Sequence, residues 1–188
     1  MPKVIDIQLD TKSIKQALKQ MQKIEKKFKD NTIVKKYLNK SADYIITMAN
    51  QYLSNVNIDG AIISDIQNSW VKSNIIGNTL TITNTSEKAV YLEFGIGIIG
   101  QGQPHPNASV EGYEYNVNSG KKDYAGRWRF RLDEKSQLDI ISGYYENSNN
   151  LITTKGYPAV LYLYNAIMDF RSSGAYKLLW QQTLEEEL

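Results

Sequence analysis

The spacing of apolar residues changes period partway along the chain, and that change limits the folds open to it. Over residues 11–30, Ile14, Ala17, Leu18, Met21, Ile24 and Phe28 recur at steps of three and four, the mark of an amphipathic helix. Asp10 or Thr11 can cap its start by accepting an orphan N–H. Asp30-Asn31-Thr32 breaks the pattern. A second stripe of Val34, Tyr37, Leu38, Ile45, Met48, Ala49 and Tyr52 predicts a helix over 33–53. Each stripe suits either a core or a partner helix. Residues 55–65 are mixed in polarity and contain Gly60, which predicts a loop or short linker. After them the period becomes two. Residues 70–76 and 79–83 read as strands joined at Gly77-Asn78, both of which tolerate positive φ. Residues 84–87 supply the next turn. Residues 89–94 are apolar, aromatic and β-branched enough for a third strand. In 127–132, Arg127, Arg129 and Arg131 alternate with Trp128, Phe130 and Leu132, which predicts a fourth.

Two long stretches, 95–126 and 133–156, are rich in Gly, Asn, Ser and Tyr and read as loops. Loops of this length are uncommon in a compact domain unless they have a task or are disordered; aromatics mixed with small polar residues favour a task. Gly156-Tyr157-Pro158 marks the next boundary, since proline suits the first turn of a helix. A helix over 159–170 follows, then a break at Ser172-Ser173-Gly174 and a last segment over 175–184. The expected fold is α+β, a single domain over 1–188. Its helical part covers 11–54, its sheet 66–132 with the long loop 95–126, a second loop 133–156, and its closing helices 157–186. The sheet is expected to be small, antiparallel and mostly four-stranded, packed against the N-terminal and C-terminal helices, with long projecting loops.

Charge is unevenly placed. The net charge of the 188 residues is +2, but 11–40 holds ten lysines against Glu25 and Asp30. That stretch is therefore +8 and the remainder −6. The chain ends in Glu185-Glu186-Glu187-Leu188. Such asymmetry can guide association with a nucleic acid or with another copy of the chain; a lysine face can also simply be solvated. Cysteine is absent, which excludes disulfides, thiolate chemistry and zinc–cysteine sites. The first residues lack a signal-peptide core, and no apolar run nears the ~20 residues that cross a bilayer. A soluble, cytosolic product is expected.

Gly95, Gly97 and Gly100 spell G-x-G-x-x-G, the fingerprint of a dinucleotide-binding turn. That site needs a strand, a tight turn and a helix whose first N–H groups face the anion. Residues 89–94 suit the strand. Pro104 and Pro106 argue against the helix, because they remove donors and favour extended neighbours. No nucleotide and no other cofactor is expected. The single histidine, His105, lies between those prolines and reads as an exposed loop residue. Glu93 stands among apolar residues; it could act as a general base, but as a lone carboxylate it fits better as the partner of Arg127 or Arg129. No metal-ligand spacing occurs, and no catalytic set is expected. The strand of Arg127, Arg129 and Arg131 suits a solvated sheet face, a subunit contact, or phosphate binding with Trp128 and tyrosines as stacking surfaces.

The order of motifs resembles that of a known family. Ala89-Val90-Tyr91-Leu92-Glu93-Phe94-Gly95-Ile96-Gly97 is similar to the A-x-Y-x-E-x-G-T-G core of the tail-component family of tailed bacteriophages, the tail-completion or head–tail joining proteins. Tyr113-Glu114-Tyr115, Gly126-Arg127-Trp128 and Thr153-Thr154-Lys155-Gly156-Tyr157-Pro158-Ala159, followed by Tyr162-Leu163-Tyr164-Asn165-Ala166, resemble its second half. Ile96 replaces the usual Thr, so any role of that hydroxyl lapses; Tyr162 replaces Phe. The resemblance implies a non-enzymatic virion protein of the neck or tail top, made in the host bacterial cytoplasm. It implies rings of six or twelve copies that contact portal-side adaptors and the tail tube. DNA would pass through the opening without sequence-specific binding, and no membrane would be involved. On that reading the loops clasp neighbours, and Glu93, Gly95, Gly97, Tyr113, Tyr115, Arg127, Arg129, Tyr144 and Tyr145 are the expected subunit-interface residues. The glycines of 95–102 would let the loop bend during assembly. The second reading is a nucleic-acid-binding module using the basic helix with Arg127, Arg129 and Arg131.

Overall fold

The computed structural model describes residues 11–115, 128–131, 145–148, 151–154 and 156–187. They are mainly helical. Helix α1 covers Thr11–Lys29, α2 Thr32–Ser54, α3 Gly60–Asn68, α4 Glu87–Phe94, α5 Gly97–Gly102, α6 Tyr162–Ser172 and α7 Ala175–Glu187. The strands are short: β1 Trp70–Lys72, β2 Ile82–Asn84, β3 Trp128–Arg131, β4 Tyr145–Ser148, β5 Leu151–Thr154 and β6 Gly156–Tyr157. β1 pairs with β2, and β3, β5 and β4 form a separate antiparallel sheet in that order, with Trp128 opposite Thr154 and Tyr145 opposite the same residue.

The expected four-stranded sheet is therefore corrected. Its third strand is the helix α4. Ser86 caps α4 by accepting the Lys88 N–H at 3.3 Å, Glu87 places a negative charge in the first turn, and the buried residues Ala89, Leu92 and Glu93 follow steps of three and four. Its fourth strand pairs with β5, out of a stretch read as loop, and not with the hairpin. The expected linker at 55–65 holds most of α3, started by Asp59, whose carboxylate accepts the Ala61 N–H at 2.7 Å. Helices α1 and α2 lie where the periodicity put them, and the hairpin turns at Gly77 with φ 60°.

The chain divides into two compact units. The first takes in Met1–Ile45, Lys72–Ile82 and Met168–Leu188. Within it α1 passes to α2 through Asn31 in the left-handed region (φ 59°), and the Asp30 carboxylate caps α2 by accepting the Thr32 N–H at 3.0 Å. The Thr32 hydroxyl and N–H hold the Asp30 carboxyl below its ordinary range. Trp180 of α7 meets Phe28 and, edge-on, Tyr37; Phe170 meets Tyr44 and Tyr176. Ile33 and Ala42 are buried. The acidic end of α7 is clamped by lysines: Glu187 by Lys27 and Lys36 at 2.8 and 2.7 Å, and Glu186 by Lys36 and Lys40 at 2.9 and 2.6 Å.

The second unit takes in Ile46–Val71 and Thr83–Ile167. Ala49, Leu53, Ile62, Ile66, Ala89, Leu92, Tyr162 and Ala166 are its buried apolar residues on helices. The Trp70 indole N–H donates to Asn50 Oδ1 at 2.8 Å, and the Trp70 ring meets Tyr162 edge-on. Asn84 donates to the Ile66 carbonyl and Ser86 to Asp65, which ties α3 to the start of α4.

Candidate functional site

The residues singled out by both the glycine motif and the family resemblance meet in the second unit. Helix α4 ends at Gly95, whose N–H still donates to the Tyr91 carbonyl at 2.8 Å and whose φ of 78° then turns the chain out of the helix. The chain then runs antiparallel to β6, with Ile96 opposite Tyr157 and Gly97 opposite Gly156. These backbones touch. A Cβ on Gly95 would lie 2.6 Å from the Ala159 nitrogen, and one on Gly156 would fall on the Ile96 carbonyl. Val160 N–H donates to the Leu92 carbonyl at 2.8 Å, and α6 starts after Leu161, held in the left-handed region at φ 61°.

Leu161 offers no side-chain oxygen to the first N–H groups of α6, and an uncapped, buried helix start is costly. Glu93 supplies the acceptor from another helix. Its Oε2 accepts the Leu163 N–H at 2.8 Å and its Oε1 the Tyr164 N–H at 2.8 Å. A carboxylate is the favoured group there, because helix dipoles place positive charge at the N-terminus. Glu93 Oε1 also meets His105 Nε2 at 3.1 Å. The Asn107 N–H donates to His105 Nδ1 at 3.0 Å. Nδ1 is thus the bare nitrogen of the neutral ring, and Nε2 carries the hydrogen given to Glu93. His105 and Glu93 are 5% and 6% exposed.

Aromatic rings close the cluster. Phe94 lies 4.2 Å from the His105 ring centre and stacks on Tyr113 at 4.7 Å; Tyr164 meets His105 edge-on. The Tyr113 hydroxyl donates to the Gly95 carbonyl at 2.7 Å, and burial pushes its ionisation up to about 12. The Tyr115 hydroxyl accepts the His105 N–H at 2.8 Å, while the Tyr115 carbonyl accepts the Gly97 N–H at 2.7 Å. Tyr162 donates to the Ala89 carbonyl at 3.2 Å, and its hydroxyl too is pushed up by burial.

Chemically, the pair has the orientation of an acid–imidazole couple, with every polar atom already in use. Both imidazole nitrogens and both carboxylate oxygens are engaged inside the chain. The geometry makes Glu93 the cap of α6 and His105 the strut that holds it.

Several expectations are corrected here. His105 is buried rather than an exposed loop residue. Glu93 meets His105 and the start of α6; its expected pairing with Arg127 or Arg129 falls on side chains outside the described residues, Arg127 wholly so and Arg129 placed only as a position in β3. The strand before the glycines is a helix, and a helix does start at Gly97, though it lasts only to Gly102. Of the expected interface residues, the structure brings Glu93, Gly95, Gly97, Tyr113 and Tyr115 into this one cluster. Tyr145 belongs to β4, and Tyr144 lies outside the described residues. Sequence reasoning singled out His105 but misplaced it at the surface, and it missed Asn107 and Leu161. The one local clue was a helix start that lacked a capping side chain of its own.

Among the described residues no helix is long and apolar enough to cross a membrane. Comparison of the chain with known protein families, curated proteins and solved structures finds no match.

Proposed function

We propose that the protein is a structural subunit of a tailed-bacteriophage neck, a ring-forming tail-completion or head–tail joining protein. One observation carries the reading. Two of the stretches that resemble that family, 89–97 and the described part of 153–159 with 162–166, interlock. Glu93 caps α6, Gly95 and Gly97 lie against Gly156–Ala159, and Tyr162 reaches Ala89. The resembling residues thus share a structural reason to occur together, with no ligand required. Around this scaffold α4 and α5 leave Val90, Tyr91 and Ile98 exposed, apolar positions suited to a neighbouring subunit.

The test is genetic and visual. In the phage carrying the gene, an early stop codon should yield filled heads and finished tails that stay apart in electron micrographs. The double variant Tyr91→Glu/Ile98→Glu should keep wild-type circular dichroism yet fail to restore joined particles. Normal yields of joined, infectious particles from the stop mutant would end the proposal.

A further inference from the structure

Helix α1 has two opposed faces. At about 100° per residue, Lys12, Lys15, Lys19, Lys23 and Lys26 fall within an arc of about 80°. Ile14, Ala17, Leu18, Met21, Ile24 and Phe28 centre on the opposite side. The only acidic residue of α1, Glu25, lies off the lysine arc and pairs with Lys29 at 2.6 Å. The carboxylates at the end of α7 are taken by Lys27, Lys36 and Lys40, and Asp43 takes Lys72. Lys15, Lys19, Lys23 and Lys26 are exposed and have no ion pair among the described residues, although Lys26 also feels the charge of Asp30.

We infer that this row is a contact for the phosphate backbone of duplex DNA, read without regard to sequence. The row is straight and rigid. From Lys15 to Lys26 it runs about 16 Å at 1.5 Å per residue, and a duplex presents about ten phosphate charges over that length. Lysine suits the task, as a point charge on a flexible stem that makes no demand on base identity. An anionic bilayer fits less well. A helix lying in a membrane surface must bury its apolar face, and in α1 that face is partly taken by the fold, with Ala17 buried and Phe28 against Trp180. The choice of duplex DNA as the polyanion rests on the neck reading; the row itself does not.

Fluorescence anisotropy of a labelled 30-base-pair duplex with the full chain tests the inference. Four lysines predict that log K falls with log salt concentration at a slope of about −3 to −4, roughly a hundredfold loss of affinity between 50 and 200 mM salt. Each single change, Lys15→Gln, Lys19→Gln, Lys23→Gln or Lys26→Gln, should reduce the slope by about one. The quadruple variant should lose binding while keeping its circular dichroism, and scrambled duplexes should bind equally. No binding at 50 mM salt, undiminished binding by the quadruple variant, or a preference for one sequence would overturn it. So would tighter binding to phosphatidylserine vesicles that is lost on Leu18→Gln/Met21→Gln. The lysate experiment does not depend on the affinity of the isolated chain for DNA, so the two readings fail separately.

Discussion

Replacing Glu93 with alanine should destabilise the second unit more than any other single change to a charged residue in it. The variant strips three donors of their acceptor at once: the Leu163 and Tyr164 N–H groups at 2.8 Å each and His105 Nε2 at 3.1 Å. Loss of a helix cap costs about 1–2 kcal/mol. A buried imidazole N–H left without a partner adds about 1–3 kcal/mol, and the missing methylenes leave a small cavity worth about 1 kcal/mol. Relief of the buried carboxylate's desolvation offsets part of this, so a net loss of about 3 kcal/mol is expected. Urea unfolding followed by tryptophan emission should show it. With a slope of about 2 kcal/mol/M, the midpoint of that unit should fall by about 1.5 M. Glu93→Gln should lose less, about 1–2 kcal/mol, because its carbonyl can keep the His105 and Tyr164 bonds while its amide confronts the Leu163 N–H. An alanine variant within about 0.5 kcal/mol of wild type, or a glutamine variant worse than alanine, would refute the cap.

Three further outcomes follow from the same structure. Gly95→Ala places a Cβ 2.6 Å from the Ala159 nitrogen at φ 78° and should cost about 3 kcal/mol, whereas Gly102→Ala, with open space around it, should be neutral or slightly stabilising; equal midpoints in urea would contradict the packing. Tyr162→Phe removes the donor to the Ala89 carbonyl and should cost about 1 kcal/mol, read as a shift in melting temperature. Hydrogen bonds from Lys27 and then Lys36 lower the Glu187 carboxyl from 4.5 to about 2. A depressed acid stabilises the fold above its ordinary value and stops doing so as pH falls through its folded value. The end of α7 should therefore loosen between about pH 4.5 and 2, seen in Trp180 emission; Glu187→Gln should shrink that step, and Glu186→Gln/Glu187→Gln should abolish it, because bonds from Lys40 and Lys36 lower the Glu186 carboxyl as well.

What could be read from the chain was whatever depended on neighbours in sequence. The stripes of α1 and α2, the stop at Asp30-Asn31 and the break at Ser172–Gly174 are all local signals, and Gly174 takes φ 76° as such a break requires. Residues 89–94 misled because Val, Tyr and Phe favour strands in composition, while Ser86, read as part of a turn, is equally the cap that starts a helix. Residues 145–148 and 151–154 misled the other way: Tyr, Asn and Ser suggested loop, yet Tyr145, Ile152, Thr153 and Thr154 are all residues enriched in strands. The Glu93–His105–α6 arrangement was out of reach. It joins residues 12 and 70 positions apart, and only the folded backbone brings them together.

The glycine triplet serves a close approach between two stretches of backbone. A pyrophosphate turn needs a strand in front, free N–H groups behind, and room for the anion between. Here the element in front is helix α4, and the first N–H of α5 is already given to the Tyr115 carbonyl. The room is filled as well. A Cβ on Gly100 would lie 3.0 Å from both the Tyr115 ring and the Tyr157 carbonyl, and one on Gly95 would lie 2.7 Å from the Pro158 carbonyl carbon and 2.6 Å from the Ala159 nitrogen. The absent side chains make space for a second stretch of this protein's own backbone. Two identical requirements, close approach and positive φ, produce one spelling for two purposes. What separates them is whether the partner is a phosphate or residues 156–159 of the same chain.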